Sequence, residues 1–135
     1  MNPILKNVLA SFAGFVVMMV VNMVLVMFLG SIFPPPDGVD PSDMNSINNN
    51  LHRYTIFQLI MPFLAHAGGT LAGALTAAKI ANSHKILIVM ILAAVHFTGG
   101  AMMVSMLSNS PTWFNVLDLG FAYFPMAWLG YKLTK

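Results

Sequence analysis

Four apolar stretches, residues 8–33, 54–81, 86–107 and 113–131, fill most of the chain. Each is long enough to cross a hydrocarbon core, which takes ~20 residues of helix. With 58% hydrophobic and 7% charged residues over 135 positions, the chain has too few polar side chains to cover a water-soluble globule. The expected fold is all-α: an integral membrane four-helix bundle that uses the whole chain, 1–135, as one membrane domain.

The charges set the threading. Lys6, Lys79, Lys85, Lys132 and Lys135 flank one side of the four stretches, whereas Asp37, Asp40 and Asp43 share the first loop, 34–53, with only Arg53. Lysine-rich flanks stay cytoplasmic, so both termini are expected inside and the first loop outside. The run that begins near Val8 is too long for a signal-peptide core and is read as a retained first span. The formal charge of +2 comes almost wholly from these flanking lysines and gives no basic face for nucleic acid. The absence of cysteine removes disulfides, thiolate metal sites and a cysteine nucleophile.

Local signals organise the loops and helix faces. Pro34-Pro35-Pro36 ends the first span, and Asp37-Gly38 turns the chain. Asp40 is read as the N-cap of a short amphipathic helix, with Pro41 at its first position, Asp43 in its first turn, and Met44, Ile47 and Leu51 on one side at the outer interface. Pro62 frees the Gln58 carbonyl and predicts a kink in the second span. Ala65, Gly69, Gly73 and Ala77 recur every four residues as a smooth stripe for close helix packing, while Ala74 lies off it and is expected to tolerate bulk. Asn82-Ser83-His84 allows only a tight hairpin between spans two and three.

Three polar side chains fall near the bilayer midplane by helical rise: Asn22 at ~15 Å, His66 at ~18 Å and His96 at ~16 Å from the outer end of their spans. Two imidazoles at one depth on neighbouring helices, with Gly99 and Gly100 making room, match what a bis-histidine haem b needs. The same histidines can instead satisfy one another together with Asn22 and Thr70, which requires no ligand, and this reading is preferred, with no cofactor or metal expected. The 12 methionines show no spacing aligned with the histidines and are read as apolar filler rather than as a copper site. Asp118 is the only acid within a span, and Arg53 is expected to reach down and pair with it; proton coupling through Asp118 is the rival reading. Asp37, Asp40 and Asp43 match no calcium loop, and turn and capping roles account for them.

The runs Phe33-Pro-Pro-Pro-Asp-Gly-Val-Asp, Pro62-Phe-Leu-Ala-His-Ala, Pro111-Thr-Trp-Phe-Asn-Val-Leu-Asp-Leu and Ala122-Tyr-Phe-Pro-Met-Ala resemble a family of small uncharacterised bacterial four-span membrane proteins. The resemblance implies a bacterial inner-membrane location and carries no site residues with it. No nucleophile–base pair, phosphate loop or zinc motif appears, so the sequence leans away from an enzyme and toward an accessory or assembly-forming membrane protein, in a homo-oligomer or larger complex. A proton-coupled small-molecule transporter acting as a dimer through Asp118 is the first alternative. A haem-binding electron carrier through His66 and His96 is the second. Single cysteines at Asn48 and Ser83 are expected to react with an impermeant thiol reagent from opposite sides of the membrane; labelling of Ser83→Cys from outside intact cells would overturn the topology.

Overall fold

Residues 2–135 are described by a computed structural model, which is all-α. Helix α1 spans Pro3–Ile32, α2 Met44–Asn50, α3 Ile56–Ile80, α4 Lys85–Met106, α5 Thr112–Phe121 and α6 Phe124–Lys132, with one turn of 3-10 helix at Leu51–Arg53 between α2 and α3. Three of them, α1, α3 and α4, are long and apolar enough to cross a membrane. The starts of α1 and α3 follow from sequence. Asn2 caps α1 by accepting the Ile4 N–H, with Pro3 at the first position, and Thr55 and Gln58 close a reciprocal capping box at α3. Helix α3 continues through Pro62.

The most extensive helix contact joins α1 to α3. Ala65, Gly69, Gly73 and Ala77 are all buried, as a small-residue stripe requires, and α1 meets them with a stripe of its own, Ala10, Gly14, Met18 and Asn22, at the same spacing of four. A Cβ at Gly73 would stand 2.5 Å from Met18 Cβ and 2.6 Å from the Gly14 carbonyl oxygen. One at Gly14 would stand 2.7 Å from Ala77 Cβ. These distances are well inside van der Waals contact, so the glycines set the separation of the two backbones. Ala74 does not face lipid. It is 1% exposed, and a Cβ on Gly130 of α6 would come within 2.9 Å of its own Cβ, so α3 carries a second small-residue face toward α6. Ala74, Ala77, Ala78, Ala81, Ala93 and Ala127 meet Ile88, Val89 and Leu92 in the core of the lysine-bearing end. There Asn7 of α1 accepts the Asn82 and Ser83 N–H groups and donates to the Ser83 hydroxyl, which ties the start of α1 to the α3–α4 hairpin.

The last apolar stretch folds as two helices. Pro125 lacks the N–H that would bond the Phe121 carbonyl, and its ring crowds that carbonyl, so α5 stops at Phe121 and α6 starts at Phe124. Both residues at the break, Ala122 and Tyr123, are fully buried.

The first loop differs from its expected start. Asp43, not Asp40, caps α2 by accepting the Asn45 N–H at 2.9 Å. Asp40 is engaged by its own turn, where the Ser42 N–H and hydroxyl donate to one carboxylate oxygen and hold this carboxyl below its usual range. Ile47 and Leu51 pack onto Leu59 and Phe114, so α2 sits over the ends of α3 and α5. Asn48 accepts two hydrogen bonds from Asn109, its side-chain oxygen from the Asn109 N–H and its backbone carbonyl from the Asn109 side-chain amide.

Gly73→Ala is expected to lower the thermal midpoint in detergent by the equivalent of about 1–3 kcal/mol of overpacking. Gly99→Ala, where nothing lies within 4 Å of the added Cβ, is expected to leave it unchanged or raise it through helix propensity. Equal losses at both sites would show that the α1–α3 contact is not the tight one.

Candidate functional site

Asp118 lies on the last turns of α5, 1% exposed, among apolar helices, where a carboxylate must be hydrogen-bonded. Its partners come from two directions. His66 Nδ1 on α3 is 2.7 Å from Oδ1, and the Tyr123 hydroxyl donates to Oδ2 at 2.9 Å. Tyr123 reaches Asp118 because the helix break turns its ring inward, and its hydroxyl occupies the space that a side chain on Gly100 of α4 would fill. Arg53 is engaged elsewhere. Its guanidinium donates to the Asn50 side chain and to the Asp37 carbonyl, which corrects the expected Arg53–Asp118 pair: the loop carbonyl and the asparagine satisfy Arg53 at the loop end, and a histidine within the bundle serves Asp118.

His96 forms a second layer. The Thr70 hydroxyl lies 2.8 Å from the His66 carbonyl oxygen and 2.8 Å from His96 Nδ1. Two oxygens at that separation need a hydrogen between them, so Thr70 donates to the carbonyl and His96 Nδ1–H donates to Thr70. The rings of His66, His96 and Tyr123 stack or meet edge to face, with centroids 5.1–5.8 Å apart. Of the residues expected to form one midplane group, His66, Thr70 and His96 do come together, and Asp118, expected to pair with Arg53, joins them through His66. Asn22 does not join them. Its backbone and Cβ lie against Gly69, and its side-chain oxygen is buried without a hydrogen-bond partner.

An axial histidine pair must face each other across a macrocycle, and the Tyr123 ring stands against both imidazoles, its centroid 5.8 Å from that of His66 and 5.1 Å from that of His96. Gly100 makes room for the tyrosine rather than for a cofactor. Among the described residues no group of three or more histidine or acidic side chains is placed to share a metal ion.

A cavity of about 360 Å³ leads to the group from the loop end, within the size range of small-molecule sites. Phe33, Met44, Leu51, Leu59, Met61, Met103, Leu107 and Phe114 make its apolar wall, and His66 and Asp118 lie at its inner end. The His66 side chain is 19% exposed and Asp118 only 2%. With Nδ1 turned to Asp118, His66 Nε2 makes no hydrogen bond with the described residues. Tyr123 was not anticipated from sequence; the available signal was Pro125, a proline inside a run otherwise read as one span.

Family models, curated proteins and solved structures contain no match to this chain.

His66→Ala and Asp118→Ala are expected to be non-additive in stability, with a coupling on the order of 0.5–3 kcal/mol. Arg53→Ala and Asp118→Ala are expected to add to within about 0.5 kcal/mol. Double-mutant cycles on thermal unfolding check both, and strong coupling of Arg53 to Asp118 would contradict the pairing described here.

Proposed function

We propose that this chain is a multi-pass protein of a bacterial inner membrane that binds a small molecule in the Asp118 cavity and carries it in exchange for protons. In this reading α5 and α6 together make the fourth crossing. Their 21 residues, 112–132, span ~31 Å against a ~30 Å hydrocarbon core, and both termini lie on the cytoplasmic side with the lysines.

One observation carries the proposal: a buried carboxylate, paired with a titratable histidine instead of a fixed cation, ends a ligand-sized apolar cavity. Such a pair changes its charge by gaining or losing a proton, and that change is what couples a ligand to a proton gradient. The helix break beside it supports the same reading, since non-helical backbone at membrane depth is tolerated where it is buried in protein or borders a cavity. An accessory or assembly-forming role, which composition favours, leaves both features without a use. Asp118, His66 and Tyr123 belong to one chain, so the reading does not rest on a dimer.

In proteoliposomes with an imposed pH gradient, the wild-type protein is expected to accumulate one or more of a panel of radiolabelled amphipathic compounds. Asp118→Asn is expected to lower that flux at least tenfold while the protein remains folded by circular dichroism. Flux in Asp118→Asn equal to that of the wild type would overturn the proposal.

A further inference from the structure

The cavity wall is apolar and no lysine or arginine borders it, so the only full charge it can present to a ligand comes from the Asp118–His66 pair. Asp118 has accepting capacity to spare. Its oxygens take one bond from His66 and one from Tyr123, whereas a carboxylate accepts about four. A 2.7 Å contact between His66 Nδ1 and Asp118 Oδ1 needs a proton between them, and with that proton alone the pair carries one negative charge. A second proton, on the free Nε2, makes it neutral. A net charge in an apolar surrounding is costly, so the one-proton state calls for a positive partner in the cavity.

We propose that the cavity takes a lipophilic ammonium ion, its head beside His66 and Asp118 and its body along the methionine and phenylalanine wall, and that binding releases one proton from the pair. The proton leaves His66 Nε2 for water through the loop-end mouth, and the ammonium charge takes its place. Met44, Met61 and Met103 give the wall side chains that adapt to different apolar shapes, and Phe33 and Phe114 add apolar ring surface for the body of the ligand. The other titratable groups near the pair are His96 on α4 and Tyr123 at the α5–α6 break, with Tyr54 at the outer part of the cavity; α1 contributes none to the lining. His96 uses Nδ1 on Thr70 and lies outside the lining, so the exchange is assigned to His66. This inference rests on the same site as the carrier reading but concerns binding alone.

Equilibrium dialysis of purified protein against three compounds with one phenylalkyl body tests it: a trimethylammonium, its uncharged tert-butyl isostere and a carboxylate. The ammonium is expected to bind at least tenfold tighter than the isostere at pH 8, and the carboxylate weakest. Ammonium affinity should rise about tenfold per pH unit while the pair holds its second proton, with the isostere insensitive to pH. Asp118→Asn should bring the ammonium-to-isostere ratio toward one. Should that variant fail to fold, the wild-type ratio and pH slope decide alone. Equal binding of ammonium and isostere, tightest binding of the carboxylate, or a flat pH profile for the ammonium would overturn the proposal. Ammonium preference without gradient-driven flux would leave the ligand class standing and remove the carrier reading, whereas flux of uncharged compounds alone would do the reverse.

Discussion

A carboxyl group placed among apolar helices has to be hydrogen-bonded where water is excluded, and around Asp118 that requirement organises the contacts of α3, α4 and α5. It recruits His66 from α3 and Tyr123 from the chain just beyond α5. Tyr123 can turn inward only because the helix is interrupted, and the interruption follows from Pro125. The tyrosine hydroxyl then needs space on α4, and Gly100 supplies it. One buried carboxyl group thus ties three helices and a helix break to one point, at the inner end of an apolar cavity.

The α1–α3 contact supports this arrangement by a different means. In hydrocarbon, apolar side chains gain nothing by leaving lipid for one another, so helices associate through close backbone approach and shape. The matched stripes of Ala10, Gly14 and Met18 on α1 and Gly69, Gly73 and Ala77 on α3 provide that approach. The face of α3 toward α6, built on Ala74 and Gly130, does the same on the other side. Helix α3 is therefore held between two close neighbours, which fixes the rotation that aims His66 toward Asp118.

The sequence made the long apolar helices, the hairpin at Asn82–His84 and the α3 stripe legible, because each is a local pattern of length, turn length or spacing. The N-cap of α2 was misplaced by three residues since Asp40 and Asp43 are equally good capping residues, and only the turn that Asp40 makes with Ser42 decides between them. The partner of Asp118 was not legible. Depth along each helix can be counted from sequence, which brought His66, Thr70 and His96 to one level, but the rotation of one helix about its axis relative to another cannot. Arg53 drew the assignment as the one cation expected on the loop side, although a histidine can also hydrogen-bond a buried carboxylate. The stripe on α1 was hidden for a related reason: Met18 and Asn22 are not small, and they pack closely because the residues opposite them are glycines.

The two ends of the bundle differ in what their side chains are able to do. The cavity end is walled by methionine, leucine and phenylalanine, whose torsions let them swing aside without moving a helix. The lysine-bearing end is packed largely from alanine, which has no side-chain torsion to rotate. A path to Asp118 from the loop side can therefore open by rotamer changes on the timescale of side-chain motion. From the opposite side the alanines have no torsion to turn, so space between the helices there opens mainly as whole helices part, a slower motion than a rotamer change.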